Sequence, residues 1–399
     1  MNRESRLSKK HLVPIIVTFF GYIVIALYFN SLGPNAPVIM DFYGTSYAQH
    51  GFLMTMQSVG ALAAAIFFSL RGEHYNKINM IAAGILLFGV SSLAAGFTPP
   101  YAALVFILML CGAGATTTDV MLNGMIPELY PKHKNTLLPI LHAFFGVGAM
   151  ITPLIVTVMV NPDIPLTFGR PLLLFGALGI LVSLVFFIAS RRTLAETPYV
   201  DMDAVRKKIS DNPADFYKEK KAWMFLAAAV LYFSFQLGLL SWLPSYCREI
   251  GMDFNTAGTM LTAFFTGSLV MRFCGALILK KITARKAYIM FSLLSAVIVA
   301  AALFMTSPSV MLPLLAVGGF LQGSCVAFLL LMSTAEFPDR VASASSLTFI
   351  GLSLAAMVTP LWMGALAEFT GFLTPLLMVC ALLALSGLLV IKATKPPGR

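Results

Sequence analysis

One carboxylate stands apart from the other acids of the sequence because apolar residues flank it on both sides. Asp119 lies in the run GAGATTTDVMLNGM, and it is the one of 17 Asp and Glu residues that falls well inside an apolar stretch. An ionised carboxylate at the centre of a bilayer costs about 2.5–3.5 kcal/mol, whereas its protonated form is neutral. Asp119 is therefore a candidate proton-coupling residue. The alternative is a structural carboxyl group, hydrogen-bonded to Thr117, Thr118 or a facing helix end.

Two further polar residues are expected at the depth of Asp119. Asn123 follows it by one helical turn on the same face. His142 lies beyond the loop 126–137, and the point midway between residues 119 and 142 falls inside that loop. Helices joined by a short loop run antiparallel, so both residues lie about 12 Å from the inner helix ends, at about 1.5 Å per residue. We predict a cluster of Asp119, Asn123 and His142 that lines a cavity and handles protons; the alternative for His142 is a packing histidine.

Amide and aromatic side chains near the middle or outer part of apolar stretches are candidates for binding a solute. A buried amide needs partners, so it faces either a neighbouring helix or a cavity. Amides with an aromatic face suit a neutral polyhydroxy ligand, because they donate and accept hydrogen bonds without adding charge. Packing between helices is the alternative for each residue, and Trp242 is also a candidate interfacial anchor. The predicted solute-binding residues are Asn30, Gln57, Asn123, His142, Gln236, Trp242 and Gln322.

Three more residues are predicted to act in gating or structure. Arg272 lies eight residues before Lys280, so it is placed near an inner helix end, where it snorkels or contacts a gate; binding of an anionic solute is the alternative. Pro34 and Pro37 are expected to bend or end the first helix.

The composition sets the class of protein in which these residues act. Of the 399 residues 58% are hydrophobic and 11% are charged, and the mean hydropathy is +0.86. A soluble protein of this composition would have too few polar residues to cover its surface. The five cysteines form no zinc or disulfide spacing, and no HExxH, GxSxG or Walker sequence is present. The sequence therefore predicts a polytopic membrane protein that is not an enzyme and binds no metal or cofactor.

Twelve stretches are long and apolar enough to cross a membrane as helices, each needing about 20 residues. An all-α membrane protein follows. The predicted spans are 12–33, 46–70, 77–98, 100–125, 138–160, 168–190, 223–246, 254–278, 286–305, 309–333, 342–367 and 370–392.

The distribution of Lys and Arg predicts the orientation. With a cytoplasmic N-terminus, 24 of the 27 Lys and Arg residues fall on the inner side, as the positive-inside rule requires. Both termini are therefore predicted to be cytoplasmic. The net charge of +10 is explained by this orientation and does not indicate nucleic-acid binding.

The chain also carries an internal repeat. At an offset of 207 residues, seven Gly or Pro positions coincide, where composition alone gives about 1.7. Two six-helix pseudo-repeats are typical of transporters with a site at mid-membrane. The predicted domains are an N-terminal bundle at 1–190, a cytoplasmic linker at 191–222 and a C-terminal bundle at 223–399.

Twelve spans, a long middle loop and duplicated halves resemble the major facilitator superfamily. Within it, GAGATTTDVMLNGMIPELYP followed by LHAFFGVGAMITPL is similar to the fucose-permease-like branch of sugar:proton symporters. The matching positions of this motif are Asp119, Asn123, His142, Gly146 and Pro153. The resemblance implies the major facilitator fold and proton-coupled symport. The first span, LYFNSLGPNAP, lacks the acid that the sugar symporter of this branch has there.

We expect a secondary active transporter that moves a small polar, sugar-like solute across the cytoplasmic (inner) membrane by alternating access, with proton symport through Asp119. The alternative is a facilitator or an exporter of a small organic molecule or anion. A membrane-embedded enzyme and a non-transporting sensor are the rivals from other classes. The expected partners are the solute, protons and the lipid bilayer, with no nucleic acid, and the chain is expected to be a monomer.

Overall fold

The structure, a computed structural model, describes residues 9–71, 75–129, 134–193, 216, 218–338 and 341–394. Within these residues the chain forms 14 α-helices and one 3-10 turn at Pro165–Phe168. The helices are α1 (Lys9–Phe29), α2 (Leu32–Tyr43), α3 (Tyr47–Arg71), α4 (Lys77–Gly96), α5 (Tyr101–Leu129), α6 (Lys134–Met159), α7 (Gly169–Thr193), α8 (Lys220–Glu249), α9 (Phe254–Leu279), α10 (Ala284–Leu303), α11 (Pro308–Gln322), α12 (Cys325–Glu336), α13 (Val341–Thr370) and α14 (Leu373–Ala393).

These helices match the twelve predicted membrane spans. Eleven stretches of the described chain are long and apolar enough to cross a membrane, and the bent pair α1 and α2 makes a twelfth. The sequence also encodes where spans start. For example, the Asp253 carboxylate accepts the backbone N–H groups of Asn255 and Thr256 and so caps α9. Hydrogen bonds from the hydroxyl and backbone N–H of Thr256 lower the pKa of Asp253, which keeps this cap charged at neutral pH.

The first span is bent where proline chemistry predicts a break. α1 ends at Phe29 and α2 begins at Leu32, with a bend of 42° between them. Pro34 has no N–H to give to the carbonyl of Asn30, and its ring crowds that carbonyl. Pro37 lies inside α2, which continues through it. The first span, predicted at 12–33, therefore extends to Tyr43 and is broken between Phe29 and Leu32.

The tenth span is also broken, which the sequence prediction of a continuous helix at 309–333 missed. α11 ends at Gln322 and α12 begins at Cys325. The Ser324 hydroxyl donates to the backbone carbonyl of Met271 in α9, at 2.8 Å. A Cβ atom at Gly323 would lie 2.3 Å from the carbonyl oxygen of Ser268. The break thus occurs where the chain presses against the backbone of α9.

The internal repeat recurs as repeated helix packing. A Cβ atom at Gly60 would lie 1.8 Å from the carbonyl oxygen of Met109, and one at Gly267 would lie 1.9 Å from that of Ala316. Both the glycines and their partners are 207 positions apart in the sequence. Two pairs of helices therefore approach to backbone contact at equivalent points, which confirms the two pseudo-repeats.

The repeat extends to the helix ends and to contacts between the halves. Gly44 and Gly251, again 207 positions apart, both have positive φ, of 61° and 88°, and both follow a span. Asp41 and Arg248 are equivalent positions too, and they form an ion pair at 2.8 Å.

The described residues divide into two compact units that do not coincide with the predicted halves. The first unit lies within Met1–Phe29, Met56–Ala149 and Leu166–Ser210, and the second within Asn30–Thr55, Met150–Pro165 and Asp211–Arg399. The second unit includes N-terminal segments because α2 and the start of α3 pack against α8 and α13. The predicted linker at 191–222 lies mostly outside the described residues, and the domain boundaries stay a prediction.

Candidate functional site

In the first unit, Asp119 and Asn123 form a direct hydrogen-bonded pair on α5. The Asn123 side-chain nitrogen Nδ2 donates to Asp119 Oδ1 at 2.8 Å and to the Asp119 backbone carbonyl at 2.9 Å. Both residues are partly exposed, so neither is sealed in the helix packing. The spacing of one helical turn brings the two side chains together, as the sequence predicted.

Tyr22 of α1 connects this pair to His142 and was not singled out from the sequence. Its hydroxyl accepts a hydrogen bond from Asn123 Nδ2 at 3.4 Å. Its ring meets the His142 ring edge-on, with centroids 5.9 Å apart. The structure therefore brings the predicted residues into one group, with a tyrosine between Asn123 and His142. We call Tyr22, Asp119, Asn123 and His142 the carboxylate cluster.

The threonines beside Asp119 do not supply the structural alternative considered above. The Thr117 hydroxyl donates to the carbonyl of Ala113 at 2.8 Å, and the Thr118 hydroxyl donates to that of Gly114 at 3.0 Å. A hydroxyl has one hydrogen, and both are already used within α5. The carboxylate of Asp119 thus takes its side-chain hydrogen bond from Asn123.

An apolar core adjoins the carboxylate cluster in the same unit. Tyr22 belongs to this core and packs there with side chains from α1, α4, α5, α6 and α7. A rigid apolar wall of this kind fixes the tyrosine and, through it, the position of Asn123. Ile15 of α1 belongs to this core as well, and members on the other helices include Ile85, Met121, Leu122, Met125, Leu141 and Phe186.

In the second unit, Gln322 is the centre of a buried hydrogen-bond network. The Tyr232 hydroxyl donates to Gln322 Oε1 at 2.5 Å, and Gln322 Nε2 donates to the Ser268 hydroxyl at 3.2 Å. Gln322 is fully buried, and both ends of its amide are used. In this structure it joins α8, α9 and the break of the tenth span.

Trp242 lies in an aromatic packing cluster of the second unit. It is fully buried, stacks on Phe372 with centroids 5.1 Å apart, and meets the His50 ring edge-on. Its indole N–H donates to the carbonyl of Pro360 at 3.2 Å. A buried, hydrogen-bonded indole does not serve as an interfacial anchor, so this alternative for Trp242 is disfavoured.

The remaining predicted solute-binding residues are not gathered into one group. Gln236 is partly exposed on α8, one turn after Tyr232. Gln57 is buried in α3, and Asn30 is buried at the break between α1 and α2. Arg272 is exposed on α9 although it lies inside a span.

Replacing His142 tests whether the carboxylate cluster works as a unit. In His142→Ala, we expect about tenfold weaker solute affinity, the equivalent of one lost polar contact, and a changed pH profile of transport. Binding and initial uptake rates from pH 5 to 8 measure both. Tyr22→Phe is the comparison within the cluster, because it keeps the ring that meets His142 and removes only the long contact to Asn123. Unaltered affinity and pH profile in His142→Ala would remove this residue from the site.

The chain has twelve spans in two repeated halves, and one span contains a hydrogen-bonded carboxyl group. These features define a membrane transport protein. The family model described as Major Facilitator Superfamily matches residues 18–254 and 248–399. The chain belongs to this superfamily and is therefore a multi-pass transporter and not an enzyme.

Individual relatives are distant but cover nearly the whole chain. The cis,cis-muconate transport protein of Acinetobacter baylyi is 22% identical over 92% of this chain and 90% of its own length. The inner membrane transport protein YdiN of Escherichia coli is 23% identical over 92% of this chain and 86% of its own. Among solved structures, a D-xylose–proton symporter superposes with a TM-score of 0.76 at 14% identity, covering 97% of this chain and 98% of that one. The structural likeness concerns the fold alone.

Proposed function

We propose that this protein is a proton-coupled symporter of a small polar organic solute, with Asp119 as the proton-carrying group. The observation that supports the proposal is the carboxylate cluster: a partly exposed carboxyl group inside a span, hydrogen-bonded to one amide. The change between outward-facing and inward-facing states has a low free-energy cost when the buried site is neutral. A carboxyl group that alternates between protonated and ionised forms can become neutral for this step. The fucose-permease-like motif around Asp119 agrees with the assignment.

The cycle follows from this chemistry. The empty carrier opens outward, Asp119 takes a proton, and the solute binds to nearby amides. The neutral, loaded state changes to inward-facing and releases both. The repeat partner of Asp119 is Val326, that of Asn123 is Leu330 and that of His142 is Phe349. Proton handling is therefore assigned to the N-terminal half. In the same proposal, the linker at 191–222 joins the two bundles and both termini are cytoplasmic.

The proposal also includes the membrane in which the protein lies and the class of solute that it carries. We assign the protein to the inner membrane of a bacterial cell, by analogy with the relative YdiN, which is named an inner membrane transport protein. The solute is sugar-like in offering several hydrogen-bonding groups. The muconate relative favours a second candidate, in which the solute is an organic anion.

Uptake into proteoliposomes tests the proposal. Purified protein is reconstituted, the exterior is made acidic by one pH unit, and a panel of labelled sugars, sugar acids and carboxylates is offered. We expect one class to accumulate, up to about tenfold for one proton per solute, and a protonophore to abolish the accumulation. Uptake that only equilibrates, with or without the protonophore, would favour a facilitator and contradict proton symport.

A further inference from the structure

Arg272 is exposed on α9 but lies off the most exposed stripe of this helix. The outward stripe of this helix is marked by Val270, Phe273 and Leu277, which are 48%, 67% and 59% exposed. Successive residues of an α-helix are turned by about 100°, so Arg272 lies about 200° from Val270. By the same measure Arg272 lies about 100° from Phe273 and about 140° from Leu277, so it branches from α9 away from the centre of this exposed stripe.

Buried positions flank the exposed Arg272 along its face of α9. Leu261, Phe265 and Ser268 precede Arg272 on the same face at helical spacing, and all three are buried. Arg272 is the next position of this row, and it is exposed. Gly275, one turn further along this face, is buried again against Ser324, so Arg272 is an accessible position between buried ones. A surface position at the lipid boundary would instead continue the stripe of Val270.

Arg272 has no counter-charge within the part of the chain that the structure describes. It forms no hydrogen bond or ion pair there, and the described acids of the second unit lie at the ends of helices or in loops. An unpaired cation inside a membrane span is costly and marks a functional site by default. A positive charge that the protein leaves unpaired is available to a ligand.

The surroundings of Arg272 are polar and fixed. Ser268, one turn before Arg272, accepts a hydrogen bond from Gln322, and Gln322 in turn accepts one from Tyr232. Gln236 is partly exposed one turn beyond Tyr232. A guanidinium fork with nearby amide and hydroxyl groups suits a carboxylate that carries further hydrogen-bonding groups.

We infer that Arg272 binds the anionic group of the transported solute, so that the solute is a small carboxylate and not a neutral sugar. The inference rests on the proposed transport function and narrows its substrate class. In this arrangement the amides form hydrogen bonds with hydroxyl groups of the solute, and Arg272 pairs with its negative charge. The phosphate of an anionic lipid offers the same chemistry, so the experiment must separate the two sources.

Thermal unfolding of the full-length protein in uncharged detergent provides the binding test. The probes are mono- and dicarboxylates of two to eight carbons, with and without hydroxyl groups, each paired with its neutral amide. We expect at least one carboxylate to raise the Tm of the wild type and its amide to fail. In Arg272→Gln, affinity for that carboxylate should fall at least about tenfold, with partial recovery in Arg272→Lys. Lys281→Gln, which removes an exposed cation from the turn just after the same helix, should bind as the wild type does.

The outcomes that overturn the inference are distinct. Stabilisation by amides and carboxylates alike, by no carboxylate, or equally in Arg272→Gln would contradict it. In nanodiscs, stabilisation by phosphatidylglycerol over phosphatidylcholine that disappears in Arg272→Gln, without any carboxylate effect, would assign the residue to lipid. Proton-driven uptake of a neutral sugar at the wild-type rate in Arg272→Gln would overturn the anion assignment and leave the proposed transport function intact.

Discussion

Asp119→Asn is expected to abolish accumulation of solute against a gradient while leaving exchange of solute across the membrane intact. Asparagine resembles the protonated carboxyl group in shape and charge, so the loaded carrier still changes between its two states. It cannot bind or release a proton, and the pH gradient then does no work on the solute. The internal concentration should therefore stop at that of simple equilibration, whereas the wild type reaches up to about tenfold for one pH unit.

The measurement is proton-driven uptake and counterflow in the same proteoliposomes. Asp163→Asn is the matched control, since it makes the same chemical change in an exposed loop residue whose backbone N–H donates to Asn161 Oδ1. It should behave as the wild type in both assays. Gradient-driven accumulation that survives in Asp119→Asn would refute the coupling role, and loss of counterflow would point to a structural role for the Asp119–Asn123 pair.

Gly60→Ala and Gly267→Ala are expected to destabilise the folded protein to a similar degree, by about 3 kcal/mol. In each case the new methyl group meets a backbone carbonyl oxygen, that of Met109 or Ala316, at less than 2 Å. A backbone cannot move aside as a side chain can, so the helices must separate. Because the two sites are equivalent in the repeat, their losses of stability should match.

Gly21→Ala is the control for the glycine pair. Its added methyl group would lie 3.3 Å from Val182 Cγ1, the end of a side chain, and a small adjustment relieves the contact. Thermal unfolding in detergent, with the monodisperse fraction after purification, measures all three variants. Wild-type stability in both Gly60→Ala and Gly267→Ala would contradict the backbone contact, and disruption of one alone would contradict the equivalence of the halves.

The sequence predicted the helices well because membrane spans obey simple rules of length and polarity. Hydrocarbon thickness sets the number of apolar residues, and this sufficed to place twelve spans. The repeat was visible because glycine and proline are hard to replace where backbones touch, as at Gly60 and Gly267. The bend of the first span followed from Pro34, whose chemistry is local.

Tertiary contacts explain what the sequence did not predict. Depth in the membrane can be counted along the chain, so Asp119 and His142 were placed at one level, but the direction of a side chain depends on which helix packs beside it. Tyr22 comes from a distant span and carries no charge, so nothing in the pattern singled it out. The break after Gln322 contains no proline and depends on the contact of Ser324 with α9.

Proton movement driven by the solute alone is the sharpest test of proton symport through Asp119. Proteoliposomes are loaded with a pH-sensitive dye, no pH gradient is imposed, and the solute is added outside. We expect the interior to acidify as solute enters through the wild-type protein, and we expect no acidification with Asp119→Asn. Solute entry through the wild type without acidification, or acidification that persists in Asp119→Asn, would contradict proton symport through Asp119.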